Sequence, residues 1–72
     1  MSETTSVTIT LNGKPTERPS GQTLLDLLAD KGLDSRIVMV EVNEEAIRRE
    51  RFGETLVHEG DTIEIVRMIA GG

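Results

Sequence analysis

The chain has 72 residues, 8 Lys and Arg against 13 Asp and Glu for a net charge of −5, one His and no Cys. So short a chain holds one domain with a small core, burying only about 60% of the surface its unfolded form exposes. Without Cys it has no disulfide, thiolate nucleophile or zinc–thiolate site, and its acidic balance argues against nucleic acid and anionic membrane surfaces, which select basic faces.

Residues 1–5, Met1-Ser2-Glu3-Thr4-Thr5, are polar and unpatterned and are expected to be flexible. They lack the basic and apolar stretches of a signal peptide, and no later run approaches the roughly 20 apolar residues of a membrane helix, so a cytoplasmic protein is expected. Ser6-Val7-Thr8-Ile9-Thr10-Leu11 then alternates strictly, placing Val7, Ile9 and Leu11 on one face of a half-buried strand. Asn12-Gly13 is a hairpin turn, because both residues tolerate positive φ. The return strand, 14–18, is confined to a sheet edge by Pro15 and Pro19, which cannot donate to a ladder.

Thr23 is placed to cap a helix over 23–31, with Asp26 standing where a capping box has Glu or Gln. Leu24, Leu27 and Leu28 form an apolar stripe, with Leu25 beside it. Gly32 ends the helix in the left-handed conformation and Leu33 folds back onto it. A second alternating strand covers 37–42, with Val38, Val40 and Val42 on one face and Met39 and Glu41 on the other. Asn43-Glu44-Glu45 turns into a short extended piece around 46–48. Phe52, Leu56 and Val57 are apolar points in a charged connector. The last strand, 62–69, turns Ile63 and Ile65 inward and Glu64, Val66 and Met68 outward. One helix on one face of a mixed four- to five-stranded sheet is a two-layer α+β domain, 6–69.

Few residues suit catalysis. His58 beside an acidic turn reads as a solvated loop residue. The serines occupy the first residues, a strand start and turns, and none lies in a nucleophile elbow. A solvated turn accounts for Glu44-Glu45 better than a weak divalent-cation site. No metal set and no phosphate-binding glycine loop is present. Arg48-Arg49-Glu50-Arg51 reads first as a solvated basic loop.

What remains is the stretch Ala70-Gly71-Gly72. Two terminal glycines arise by chance in roughly one chain in 200. Lacking Cβ, Gly71 and Gly72 can thread a channel too narrow for side chains. The α-carboxylate titrates at about pH 3.3–3.7 in model peptides, so Gly72 presents an ionised group at neutral pH. An ionised carboxylate is a poor electrophile until another agent activates it. With no nucleotide site of its own, the chain reads as a protein substrate and carrier rather than an enzyme.

Leu11-Asn12-Gly13-Lys14-Pro15, Gln22-Thr23-Leu24-Leu25-Asp26-Leu27-Leu28, Val40-Glu41-Val42-Asn43 and the stretch from Glu59 to Arg67, completed by Gly71-Gly72, resemble the sulfur carriers of thiamine biosynthesis, the ThiS family. The resemblance implies a ubiquitin-like β-grasp, with the first and last strands parallel and adjacent near the middle of the sheet. It implies that an adenylating enzyme, using ATP, activates the Gly72 carboxylate, and that a cysteine persulfide donor converts it to a thiocarboxylate. Thiazole synthase then takes the sulfur; the carrier itself binds no cofactor. Val66, Arg67 and Met68 are the expected contacts for the activating enzyme, with the Arg48-Arg51 loop at the rim, and Gly71 and Ala70 complete a freely moving tail, 70–72. Glu44 stands where the family has Gly, so that turn is expected to differ. The small subunit of molybdopterin synthase and ubiquitin-like modifiers also end in Gly-Gly and stay open as alternatives; the absence of Pro from Arg67-Met68-Ile69-Ala70 favours the thiamine branch.

Overall fold

The computed structural model describes residues 5–68. Residues 1–4 of the expected flexible start, Ile69 of the last strand and the tail 70–72 lie outside the described residues.

In chain order the elements are β1 (Ser6–Leu11), β2 (Lys14–Pro19), α1 (Leu24–Asp30), a 3-10 helix (Ser35–Ile37), β3 (Val38–Val42), β4 (Glu45–Ile47), a second 3-10 helix (Arg49–Glu54) and β5 (Thr62–Arg67). The five strands form one sheet in the order β2-β1-β5-β3-β4. β5 runs parallel to β1 and antiparallel to β3, so the last strand fills the centre of the sheet. The mixed sheet on one helix is the expected fold, and the proline-bearing β2 does lie at an edge.

Local chemistry accounts for the helix bounds. Asp26 N–H donates to Thr23 Oγ1 at 3.1 Å and Thr23 N–H donates to the Asp26 carboxylate at 3.0 Å, a reciprocal capping box. At the other end Leu33 N–H reaches the Leu28 carbonyl and Gly32 N–H the Ala29 carbonyl, with Gly32 at φ +70°. These bonds satisfy carbonyls the helix leaves free. The helix proper is shorter than 23–31 because Thr23 and Lys31 are its caps. Leu24, Leu27 and Leu28 are buried against the sheet, while Leu25 is exposed.

The core consists of Ile9, Leu11, Leu24, Leu27, Leu28, Val38, Val40, Phe52, Val57 and Ile63. Val7 and Ile65, expected inside, are only half-buried at its margin. The connector expected to be mostly solvated instead folds its second 3-10 helix over α1 and buries Phe52 beneath it. Leu24 N–H donates to the Thr55 carbonyl and Val57 N–H to the Gln22 carbonyl, which holds this connector to the helix start. β3 begins at Val38 rather than 37, because the Asp34 carboxylate caps the preceding turn through Arg36 N–H at 2.9 Å and keeps Ile37 in the 3-10 conformation. The short strand is Glu45–Ile47, so the turn before it is Asn43-Glu44 alone.

That turn repeats the backbone of the chain's other hairpin. Asn43 and Glu44 have φ of +54° and +73°, close to Asn12 and Gly13 at +50° and +83°. Positive φ at both central residues is the type I′ signature. Glu44 therefore takes a positive φ of the kind that Gly accepts at no steric cost.

Candidate functional site

β5 leads from the centre of the sheet toward the chain end, and two strands and two asparagine side chains hold it along its length. On one side β3 pairs with it from Val42–Ile63 to Val38–Arg67, and Met68 N–H adds a bond to the Ile37 carbonyl at 2.7 Å. On the other side β1 pairs only at Thr10–Thr62 and Leu11–Ile63 before turning away. There the carboxamide of Asn12 replaces the missing peptide: Oδ1 accepts from Ile65 N–H at 2.8 Å and Nδ2 donates to the Ile65 carbonyl at 3.4 Å. Near the start of β5, Asn43 Oδ1 accepts from Thr62 N–H at 2.9 Å and its Nδ2 donates to Asp61 at 3.0 Å.

The pleat sorts the side chains of β5. Ile63 is buried and Ile65 half-buried toward α1, whereas Glu64, Val66 and Met68 are exposed on the opposite, outer face. Val66 stands directly across from Met39, and Met68 beside Ile37. These four apolar residues are 41–56% exposed and form a patch at the end of the sheet where β5 leaves it. Behind them Glu64 faces Glu41 directly across the ladder, two like charges whose repulsion opposes pairing. The outer face is thus apolar near the exit of the chain and acidic behind it. Val66 and Met68 lie together as the alternation predicts. Arg67 points to the other face of the sheet by the same alternation, and the Arg48–Arg51 loop runs into the 3-10 helix that covers α1.

Met39 and Ile37 join this patch without having been singled out as site residues. The alternation of 37–42 did turn Met39 away from the core. Only the pairing of β3 with β5 sets it beside Val66. Asp34 supports this end of the molecule: hydrogen bonds from Arg36 lower its pKa to about 2, and the same contact raises that of Arg36. His58 lies exposed in the loop before β5, where its backbone N–H donates to Asp61 at 2.9 Å. Among the described residues no group of three His, Cys, Asp or Glu is arranged to hold a metal. No described helix is long and apolar enough to cross a membrane. An open groove of about 310 Å³ lies elsewhere, between β4 and the second 3-10 helix, lined by Glu45, Ala46, Ile47, Arg48, Arg51 and Thr55.

The model of the ThiS family matches residues 9–72, from the core of β1 through Gly71-Gly72. The chain belongs to the ThiS family. It is 43% identical over 63 residues to the sulfur carrier protein ThiS of Bacillus subtilis, covering 86% of this chain and 96% of that one. The crystal structure of the thiamine biosynthesis protein ThiS of Geobacter metallireducens superposes with a TM-score of 0.79 at 32% identity, over 92% of this chain and all of that one. The shared fold is the ubiquitin-like β-grasp, and the function is that of a sulfur carrier in thiamine biosynthesis. A thiazole synthase of Paramagnetospirillum magneticum is also similar, 36% identical over 64 residues; the match covers 89% of this chain but 20% of that protein.

Proposed function

We propose that Gly72 carries the sulfur, as a thiocarboxylate on its α-carboxyl group. A partner adenylating enzyme joins that carboxylate to AMP and releases pyrophosphate from ATP. A persulfide sulfur then attacks the acyl carbon and expels AMP, and cleavage of the S–S bond by a thiol leaves the thiocarboxylate. Thiazole synthase is the acceptor of the sulfur. The chain acts in the cytoplasm as substrate and carrier, with no cofactor of its own; ATP belongs to the partner.

The observation that carries this reading is that the family match runs through Gly71-Gly72, directly beyond a central strand with an apolar patch at its end. The patch, with Val66 and Met68 at its centre, serves as the docking face, Arg67 flanks it on the other side of the pleat, and Ala70-Gly71-Gly72 enters the enzyme. A carboxylate introduced at Met68 would be buried unpaired in that interface, a costly arrangement. Incubation with an adenylating enzyme of a thiamine pathway, ATP and a persulfide donor tests the proposal by intact mass. The expected product gains the mass difference of one sulfur replacing one oxygen. Deleting Gly72 abolishes this gain, and Met68→Asp slows it while leaving the fold intact. A truncated chain that loads sulfur at the parent rate, or a parent chain that forms only a conjugate to lysine, overturns the reading.

A further inference from the structure

β5 ends with one residue whose backbone, among the described residues, finds no partner on one side. Hydrogen-bonded and non-hydrogen-bonded pairs alternate along an antiparallel ladder. Met68 N–H bonds the Ile37 carbonyl and Asn43 N–H the Thr62 carbonyl, so the even-numbered residues of β5 bond β3. Residues 63, 65 and 67 therefore turn their N–H and C=O groups toward β1. Ile63 finds the Asn12 N–H at 2.9 Å and Ile65 finds the Asn12 side chain. For Arg67 no described residue offers a partner on the β1 side, since β1 has already turned into its hairpin. Among the described residues no hydrogen bond outside the β3–β5 ladder reaches it.

Resting on the sulfur-carrier reading above, four residues separate Met68 from the reacting carboxylate. Fully extended, they span at most about 14 Å. An enzyme that surrounds the carboxylate must therefore close over the end of β5. Closing over Arg67 removes water from its N–H and C=O, and buried backbone groups left without partners are costly. The apolar patch occupies the outer face and β3 the other edge, which leaves one open lane, beyond Asn12. We infer that an extended segment of thiazole synthase, as it receives the tail, pairs with β5 in this lane, taking the Arg67 N–H and carbonyl as its first rung. Asn12 ends the molecule's own pairing with a side chain, and the partner continues it with backbone.

Arg67→Pro removes the free donor without touching a bond to β3, because a strand accepts proline where its N–H faces away from the ladder. Arg67→Ala removes the side chain and keeps the donor. With thiazole synthase as the partner, Arg67→Ala sets the baseline, the cost of losing the side chain while the donor stays. Arg67→Pro is expected to bind about tenfold or more weakly than Arg67→Ala, the effect of one buried carbonyl or amide left unpaired. In the unaltered carrier, exchange of the Arg67 amide with solvent should slow on complex formation, a readout that stands even if the proline variant melts early. Equal binding of the two variants, or an Arg67 amide that exchanges as fast in the complex as free, overturns the inference while sulfur loading of Gly72 continues. A parent dimer lost in Arg67→Pro would place a second copy in the lane and overturn it as well. A parent that loads no sulfur at all removes the functional reading and this inference with it.

Discussion

The two hairpins of this sheet use one turn to different ends. Asn12-Gly13 and Asn43-Glu44 both take positive φ at two successive residues, and in both the asparagine side chain reaches across to β5. Asn12 grips the strand at Ile65, where the β1 pairing has run out, and Asn43 grips it at Thr62, where β5 begins. The first hairpin completes its turn with Gly, which adopts φ +83° at no steric cost. The second completes it with Glu44 at φ +73°, where a Cβ crowds the backbone and costs about 1–2 kcal/mol. One motif thus fixes the central strand from both neighbours, and only one copy is relaxed.

Leu27 has no exposed surface and belongs to the core that Ile9 and Leu11 of β1 and Val38 and Val40 of β3 also enter. Leu27→Ala should cost about 2–5 kcal/mol in denaturant melts. It should raise amide exchange in β1–β2 and β3–β4 together; loosening of one hairpin alone would show that the two halves do not share a core.

Asn12→Ala removes both bonds to Ile65 and places Ala at positive φ. A loss of about 2 kcal/mol follows, with faster amide exchange at Ile65. Asn43→Ala should cost a similar amount but free Thr62 instead, so the pair of variants tells which end of β5 each asparagine holds. Glu44→Gly should stabilise the fold by about 1 kcal/mol or less, since the relief of the turn is partly offset by the greater freedom of Gly in the unfolded chain. The matching change at the other turn, Gly13→Glu, should destabilise.

The smallest effect distinguishes the hairpins by pH. The Asp34 carboxyl has its pKa lowered from 3.8 to about 2, chiefly by its hydrogen bonds from the Arg36 side chain and backbone. A lowered pKa means stabilisation that is complete above 3.8 and lost as pH falls through about 2. Asp34 caps the turn into β3, so exchange at Ile37 and Val38 should rise over that interval before the β1–β2 amides respond. Asp34→Asn should flatten this dependence.

Much of the fold was legible because it depends on near neighbours in the chain. The alternation of Val7, Ile9 and Leu11, the Thr23–Asp26 capping box, Gly32 and the Asn12-Gly13 turn each follow from a few adjacent residues. Phe52 and Val57 were harder to read. Their charged surroundings carry no period, and they are buried only because the second 3-10 helix meets α1, a contact between distant parts of the chain. The Asn43-Glu44 turn is not legible locally, because its positive φ runs against the preference of Glu and goes with the β3–β4 pairing and the hold of Asn43 on β5. Arg18 gave no sign of its place either. It bridges from edge strand β2 to Gln22 and Asp30, closing a polar network over the helix end.

At the site the division is the same. Gly71-Gly72, the outward pattern of Val66 and Met68 and the acidic, cysteine-free composition can be read from residue types and their spacing alone. The place of β5 between β1 and β3, the joining of Met39 and Ile37 to Val66 and Met68 in one patch, and the end of the β1 pairing at Asn12, short of Arg67, emerge only once the sheet is assembled. Strand order and register arise from packing of the whole sheet on one helix, and a period of two in a single strand holds no information about which neighbour it will find.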